Sequence, residues 1–346
     1  MSRWAKPEYS KKQVNRAGSV LTDLSIPNEG LDHALTVINN FRAIHNHPLN
    51  TFQTTLRMKG RHIDPNVLVA QRIKRLSSIF LKLSRFPTMT LSQMQDIGGC
   101  RAIMASVEDV NLLVHSYINS NIKHKLHTLD NYMLEPKETG YRGVHLIYLY
   151  YSDKIDTYNS LKIEMQLRSQ FQHAWATAVE IVGIFTKHAL KSSQGDEDWL
   201  RFFALMGSAI ALLEGTPLVP GTPHDPFDLL NELHALSNRL DAVNRLRAYG
   251  TAPDILEDPA TKGQHFFLLE LDVAENKLKV KGYKAGDIEL ASTEYLEAEK
   301  RLSKTGDAVL VSVGSIAALR RAYPNYYLDT DVFVQVVEDV LNGAIG

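Results

Sequence analysis

Two carboxylates, Asp96 and Glu164, lie in strand-like runs of this 346-residue sequence, and cations gather around them: Arg72, Lys74, Lys82, Arg101, Lys137, Arg142 and Arg168. Acids set among Lys and Arg have a use in phosphate chemistry. Carboxylate oxygens hold Mg²⁺, which keeps waters and substrate phosphates in its remaining positions. The cations then neutralise charge on the group being transferred. No Walker A pattern is present, so a P-loop is excluded. Tyr141 lies in a Pro/Gly-bounded loop, 135–145, beside Lys137, Arg142 and His145. An aromatic ring there suits stacking on a base, a contact worth roughly 1–3 kcal/mol.

The elements that must position these groups follow from periodicity. Residues 161–168 alternate strictly, with Leu161, Ile163, Met165 and Leu167 on one side and Lys162, Glu164, Gln166 and Arg168 on the other. That is the period of a half-buried strand. Helical spacing then takes over across 170–189. Phe171, Trp175, Ala178 and Val182 form an apolar face, and His173, Thr177 and Glu180 another. Taken alone, a charged strand is better read as a solvated edge, and Trp175 reads as core. For Gln166, His173 and Glu180, packing between helix and sheet competes with ligand contact.

Met94–Met104 has a buried-strand pattern interrupted by Gly98 and Gly99, which implies a bulge or a close backbone approach. The charges within it, Asp96 and Arg101, are costly unless paired or ligand-bound. Pro65 predicts the start of an amphipathic helix with Ile73, Leu76, Ile79/Phe80 and Leu83 as its stripe. On a second face Lys74, Ser78 and Lys82 repeat at i, i+4, i+8, flanked by Arg72 and Arg75. Such a row is a solvated face or a phosphate-binding one.

Elsewhere, helices are expected over 28–45, 107–117, 199–213 and 227–248, and strands over 125–134 and 144–151. Residues 51–64 read as turn-rich, 192–198 as a polar loop and 216–226 as a proline-rich turn. The predicted order is a unit over 1–250, a linker over 251–264 and a small α+β domain over 265–346. In that last domain strands are expected at 266–273, 277–283 and 308–313, with helices at 292–302, 316–321 and 332–341.

The near-neutral total, −1, conceals an asymmetry. Residues 1–85 hold 14 Lys/Arg against 5 Asp/Glu, and residues 263–346 hold 9 against 13. A basic front suggests a polyanionic ligand, and an acidic tail could cover it. No apolar run approaches a membrane span and no signal-peptide core opens the sequence. Cys100 is the only cysteine, which excludes a disulfide framework and a cysteine-based zinc site. A cytoplasmic setting, without membrane contact, is the expectation.

The segments Arg72-Ile-Lys74…Ser78…Lys82, Asp96-Ile-Gly-Gly-Cys-Arg101, Lys137…Gly140-Tyr-Arg-Gly-Val-His145, Glu164-Met-Gln-Leu-Arg168 and His173-Ala-Trp175…Glu180 occur in that order. Together they resemble the successive motifs of RelA/SpoT-type alarmone synthetase domains. The resemblance implies an α+β fold, a mixed-sheet, nucleotidyltransferase-like pyrophosphokinase domain flanked by helices and followed here by a small α+β regulatory domain. It implies a pyrophosphotransferase that uses Mg²⁺ and moves the β,γ-pyrophosphate of ATP onto a ribose 3′-hydroxyl. By motif, Arg72, Lys74, Ser78, Lys82 and Arg101 contact ATP, with Arg72 near the adenine. Asp96 ligates Mg²⁺, and Glu164 binds the metal or acts as general base. Lys137, Tyr141, His145, Gln166 and Arg168 line the acceptor side. The family's usual pattern has alanine at Gly99 and a small aliphatic residue at Cys100. No His-Asp hydrolase signature precedes these motifs, so the chain is expected to make its product and not remove it.

Members of this family use GDP or GTP as acceptor, while a toxic branch modifies the 3′-terminal CCA adenosine of tRNA and stops translation. The basic front suits a tRNA backbone and equally a nucleotide-binding helix bundle. Tyr323-Pro-Asn-Tyr326 resembles the Tyr-x-x-Tyr element of CapRel-type fused toxin–antitoxins of phage defence. That resemblance implies a tail whose Tyr323 and Tyr326 cover the ATP site until a phage major capsid protein binds. The alternative is that these tyrosines pack the tail's own core. tRNA is therefore the expected acceptor, GDP or GTP the alternative, and DNA is not an expected partner.

Overall fold

The computed structural model describes residues 4–23, 28–189, 195–250, 254–257, 264–272, 275, 277–302, 305–312, 316–327 and 329–345. The chain is α+β, and its strands form one mixed sheet. Helices α1 (Lys11–Thr22), α2 (Asn28–Ala43) and α3 (Asn46–Ile63) lead into β1 (Leu68–Ile73), α4 (Leu76–Arg85), β2 (Gly98–Met104) and α5 (Val107–Ile118). Strands β3 (Lys125–Asn131), β4 (Val144–Leu149) and β5 (Lys162–Ser169) follow. Helices α6 (Gln170–Ala189), α7 (Gly195–Leu213), α8 (Pro226–Leu240) and α9 (Ala242–Tyr249) come next. The tail comprises β6 (Asp254–Glu257), β7 (Phe266–Asp272), β8 (Lys277–Tyr283), α10 (Ile288–Arg301), β9 (Gly306–Ser312), α11 (Ile316–Ala322) and α12 (Asp331–Leu341).

Nine strands among the described residues run in the order β3-β4-β5-β2-β1-β9-β7-β8-β6. Strand β2 lies parallel to β5 and β6 parallel to β8, and the other pairings are antiparallel. The tail strands therefore extend the same sheet. The seam is short, joining β1 to β9 through two residue pairs, Gln71↔Ser312 and Arg72↔Val311.

Alternation along the strands sorts the residues between two faces. Val69, Cys100, Ala102, Met104, Ile163, Met165 and Leu167 enter a core with Ile38, Leu49, Phe52 and Leu56 of α2 and α3 and Leu113 of α5. The opposite face receives Arg72, Gly99, Arg101, Glu164, Gln166, Arg168 and His145. Two further clusters cover that second face. Leu68, Ala70 and Ile103 pack with Phe267, Leu269, Val311, Leu319, Tyr323, Tyr326 and Tyr327 of the tail. Beside them α6, α7, α8 and α9 form a helical core, and Phe333, Val334, Val336, Val337 and Val340 of α12 lie within it. The last helix thus packs among helices 170–249, far from it in sequence.

Several sequence expectations are corrected. The helix expected from Pro65 is a strand, β1, followed by α4 from Leu76, so Arg72 sits on a strand and Lys74 precedes the helix. The turn-rich stretch 51–64 lies within α3, an amphipathic helix burying Leu49, Phe52, Gln53 and Leu56. Helix 227–248 breaks at Asp241, whose φ of 50° ends α8 in a left-handed turn that Asp tolerates. Phe171 is exposed, whereas Trp175, Ala178 and Val182 are buried as expected. Within the expected linker 251–264, residues 254–257 form β6 beside β8, and residues 251–253 and 258–263 lie outside the described residues. So does the start of the expected loop 192–198, and the remainder belongs to α7.

At the α2–α3 junction His45 is 1% exposed and its Nδ1–H donates to Phe41 O at 2.7 Å. Burial pushes its imidazole down to about 4 despite that bond. The unfolded chain protonates the same ring near 6.5. Between those values the unfolded state binds more protons, so stability rises with pH, and it falls as pH drops from about 6.5 to 4. The expected loss from His45 is about 3 kcal/mol over that window. Urea titrations should show it, with a shallower slope in His45→Gln.

Candidate active site

The charged face of β1, β2 and β5 lines a cleft of about 510 Å³ that gathers Arg72, Lys74, Arg75, Ser78, Asp96, Arg101, Glu164, Gln166 and, from the tail, Tyr323. Asp96 enters from the turn before β2. Lys74 Nζ donates to its Oδ2 at 2.6 Å and Lys82 Nζ to its Oδ1 at 2.9 Å. The row Lys74, Ser78, Lys82 therefore converges although Lys74 stands outside the helix. Burial alone would push the Asp96 carboxyl up, but the two ammonium groups more than offset it and hold it below the ordinary carboxylate range.

Glu164 shares the cleft. His145 Nδ1 lies 3.0 Å from its Oε1, and Gln166 Nε2 donates to its Oε2 at 2.8 Å. His145 Nε2 meets the Tyr141 hydroxyl at 2.5 Å, and Arg168 Nη2 donates to that hydroxyl at 2.6 Å and to Gln166 Oε1 at 3.1 Å. Glu164, His145, Tyr141, Arg168 and Gln166 thus close a ring of hydrogen bonds. A neutral His145 with its proton on Nδ1 satisfies the whole ring, since the Tyr141 hydroxyl can then donate to Nε2. Burial works against the Glu164 charge, yet the bonds from His145 and Gln166 hold its pKa below the usual value.

At the Tyr141 end of this ring, Lys137 Nζ lies 4.3 Å from the Tyr132 ring centre and 5.5 Å from that of Tyr141. The Arg168 guanidinium stands 5.0 Å over Tyr141. The loop holding Tyr141 is fixed by Arg142, which is buried and donates to Pro217 O, Met133 O and Thr216 Oγ1. Arg142 thus braces the loop from within and does not join the cleft. Trp175 is core, its Nε1–H donating to Phe203 O at 2.8 Å.

The tail reaches the cleft through the end of α11. Arg101 Nη1 donates to Ala322 O at 3.4 Å, His173 Nε2 meets Arg321 O at 3.2 Å, and the Tyr323 hydroxyl donates to Gln71 O at 3.0 Å. Burial, with Arg168 and Arg72 nearby, pushes Arg101 down to about 10, and among the described residues its Nε has no partner. His173 is kept neutral, well below its ordinary range, by burial and by Arg101 and Arg168. Tyr326 is 1% exposed and stands back from the cleft lining; its hydroxyl accepts from Arg75 Nη1 at 3.0 Å, and Arg75 is also paired with Asp307. The tyrosines thus pack against tail and first-unit strands together.

Asp96 and Glu164 offer hard oxygen donors to one cleft, which fits Mg²⁺ held by one or two carboxylates with phosphates completing its shell. Among the described residues no group of three or more His, Cys, Asp or Glu could hold a metal unaided, so substrate oxygens would have to take part. Two residues that periodicity had not singled out matter here. Arg75, read only as a flank, carries one of the tail's ion pairs, to Asp307. Glu214 accepts from Ser169 Oγ and from Gln172 Nε2 at 2.8 Å, fixing the β5–α6 corner beside Arg168. Its place at the end of α7 carries no local signal of that role.

Residues 71–186 match the family described as a region found in RelA / SpoT proteins. The GTP pyrophosphokinase YjbM of Bacillus subtilis (strain 168) is 30% identical over 115 residues, which are 33% of this chain and 54% of that protein. The chain thus spans about half the length of this curated relative. Among solved structures, small alarmone synthetase 1 from Bacillus subtilis bound to its product pppGpp aligns with a TM-score of 0.40 and 18% identity, over 60% of this chain and 95% of that one. Small alarmone synthetase 2 from the same organism aligns with a TM-score of 0.42 and 21% identity, over 50% and 92%.

The two kinds of site residue should respond differently to small changes. A Cβ on Gly99 would meet only Glu164 Oε2, at 3.9 Å, so Gly99→Ala should leave stability within about 0.5 kcal/mol. Tyr141→Phe removes the hydroxyl shared by His145 and Arg168 and should cost about 1–3 kcal/mol in denaturant unfolding.

Proposed function

We propose that this chain, whose residues 71–186 form a RelA/SpoT-type region, is an ATP-dependent pyrophosphokinase held in check by its own tail. The observation that carries this reading is the single cleft in which Asp96, Glu164 and the donor-side cations face the tail's Tyr323. Residues 1–250 form the catalytic unit and residues 265–346 the regulatory one, with α12 lodged in the former.

Arg72, Lys74, Ser78, Lys82 and Arg101 bind ATP, with the lysines and Arg101 directed to its phosphates. Asp96 and Glu164 would hold Mg²⁺, which would supply charge neutralisation for the transferred pyrophosphate. Glu164, kept ionised by His145 and Gln166, takes the proton from the attacking 3′-hydroxyl. The O3′–Pβ bond forms as the bond between Pβ and the oxygen bridging it to the α-phosphate breaks, and AMP leaves. Tyr141 offers its ring to the acceptor base, and Lys137 and Arg168 bring positive charge to that side.

The acceptor is a 3′-hydroxyl on either tRNA or a guanine nucleotide. The excess of cations in residues 1–85 favours the CCA end of tRNA. The 30% identity to a protein named GTP pyrophosphokinase favours GDP or GTP. The tail sets carbonyl oxygens of Arg321 and Ala322 against His173 and Arg101 and engages Arg75 through Asp307. Groups suited to phosphates are thereby occupied. A partner that binds the tail better when it is lifted would open the cleft, and the CapRel resemblance makes a phage major capsid protein the candidate.

The deciding experiment follows label from γ-³²P-ATP in the full chain and in Tyr323→Ala, with deacylated tRNA or GDP/GTP as acceptor. Tyr323→Ala, or the milder Tyr323→Phe, should raise transfer by about 10-fold or more. Adding Asp96→Ala to the same background should lower it by about 10³-fold. Label on tRNA identifies the translation-inhibiting enzyme, and label only on the guanine nucleotide identifies an alarmone synthetase. No label from any variant overturns the enzymatic reading.

A further inference from the structure

The tail grips the first unit at a second place, away from the ATP cleft, and we infer that α12 positions the acceptor loop and, through it, Tyr141. Phe333 of α12 is 1% exposed and stacks on Phe203 of α7, with ring centres 5.7 Å apart and planes 29° apart. The backbone of the same Phe203 touches the loop. Its carbonyl accepts the Trp175 indole N–H at 2.8 Å and lies 2.7 Å from where a Cβ on Gly140 would stand. Trp175 in turn meets the Tyr141 ring edge-on at 6.4 Å.

This contact has no slack. Gly140 has a φ of +93°, and a Cβ on Gly207, one turn along α7, would fall 2.9 Å from Gly140 Cα and O. Loop and helix meet backbone to backbone, so a displacement of α7 moves the loop. Tyr141 carries it onward, because its hydroxyl sets His145 and His145 holds Glu164. Helix α12 is itself anchored independently of the cleft. Val334, Val336, Val337 and Val340 are buried in the helical core, the Thr330 hydroxyl donates to Leu246 O at 2.9 Å, and Arg247 pairs with Glu338 at 2.5 Å.

The tail therefore acts with two signs. Residues 316–327 obstruct the donor side, and residues 331–341 support the acceptor side. Removing the whole tail takes away both, so a truncated chain is not a released enzyme. The term "acceptor side" rests on the function proposed above, whereas the chain of contacts from Phe333 to Tyr141 does not.

The test uses the full chain with Phe333→Ala, Phe333→Leu and, as control on the exposed face of the same helix, Val332→Ala. Amide hydrogen exchange is read at Gly140, whose N–H donates to Lys137 O at 2.8 Å, and at Tyr132, whose N–H donates to Gly143 O at 2.9 Å. In Phe333→Ala exchange at Gly140 and Tyr132 should quicken by about 10-fold or more while β1 and β2 stay protected. The KM for the acceptor should rise by about 5–10-fold, with the KM for ATP changing by less than about twofold. Phe333→Leu should fall between, and it carries the test if the alanine variant does not fold. Val332→Ala should match the parent chain. Faster exchange confined to α12 and α9, or spread equally over the loop and the cleft strands, would overturn the inference. If no variant transfers pyrophosphate, the enzymatic reading fails while the exchange result still decides this one.

Discussion

Charge in a low-dielectric setting must be paired, and that constraint governs the whole second face of the sheet. Strands β1, β2, β5 and β4 bury one face on α2, α3 and α5 and turn toward the other a row that includes Arg72, Arg101, Glu164, Gln166, Arg168 and His145. Most such faces meet water. This one meets helices and the tail, so its charged groups are matched with one another. Asp96 holds two lysines, Glu164 holds His145 and Gln166, and Arg168 is tied to Tyr141 and Gln166. The pairing both stabilises the closed arrangement and keeps the acids ionised.

Arg101 shows where the matching is incomplete. Arg168 and Arg72 stand near it, and among the described residues its Nε lacks a partner while its Nη1 donates to a carbonyl at the end of α11. A phosphate would satisfy it far better than a neutral oxygen. The contact with the tail is thus a weak substitute for a strong ligand, as the regulatory role proposed for the tail requires. Other polar contacts add to the apolar packing of the tail: Arg42 joins Glu299, Glu299 accepts from the Leu76 amide, and Arg75 joins Asp307.

The gathering of the charged residues on one face was readable from sequence because the strand bearing Glu164 alternates without interruption and passes directly into α6. Asp96 and Arg101 drew attention as charges within an apolar run. Strand β1 was hidden by a coincidence of spacing: Ile73, Leu76, Ile79 and Leu83 keep a helical interval across a strand-to-helix junction, and the short apolar run Val67-Leu68-Val69-Ala70 fits a buried strand and a buried helix segment alike. Residues 51–64 carried basic side chains on the outer face of a helix whose inner face, Phe52 and Leu56, was too sparse to declare itself. The placement of α12 had no local signal at all. Its valines advertise burial, and only tertiary structure determines against what.

That placement bears on the order in which the protein becomes complete during synthesis. Elements emerge from the ribosome from the N-terminus onward, and the segment over the donor cleft precedes α12 in the chain. A nascent chain long enough to supply Phe333 to the helical core has already supplied Tyr323 to the cleft. On the function proposed above, the segment that covers the cleft is made before the helix that supports the loop, and no separate inhibitor has to find the cleft in time.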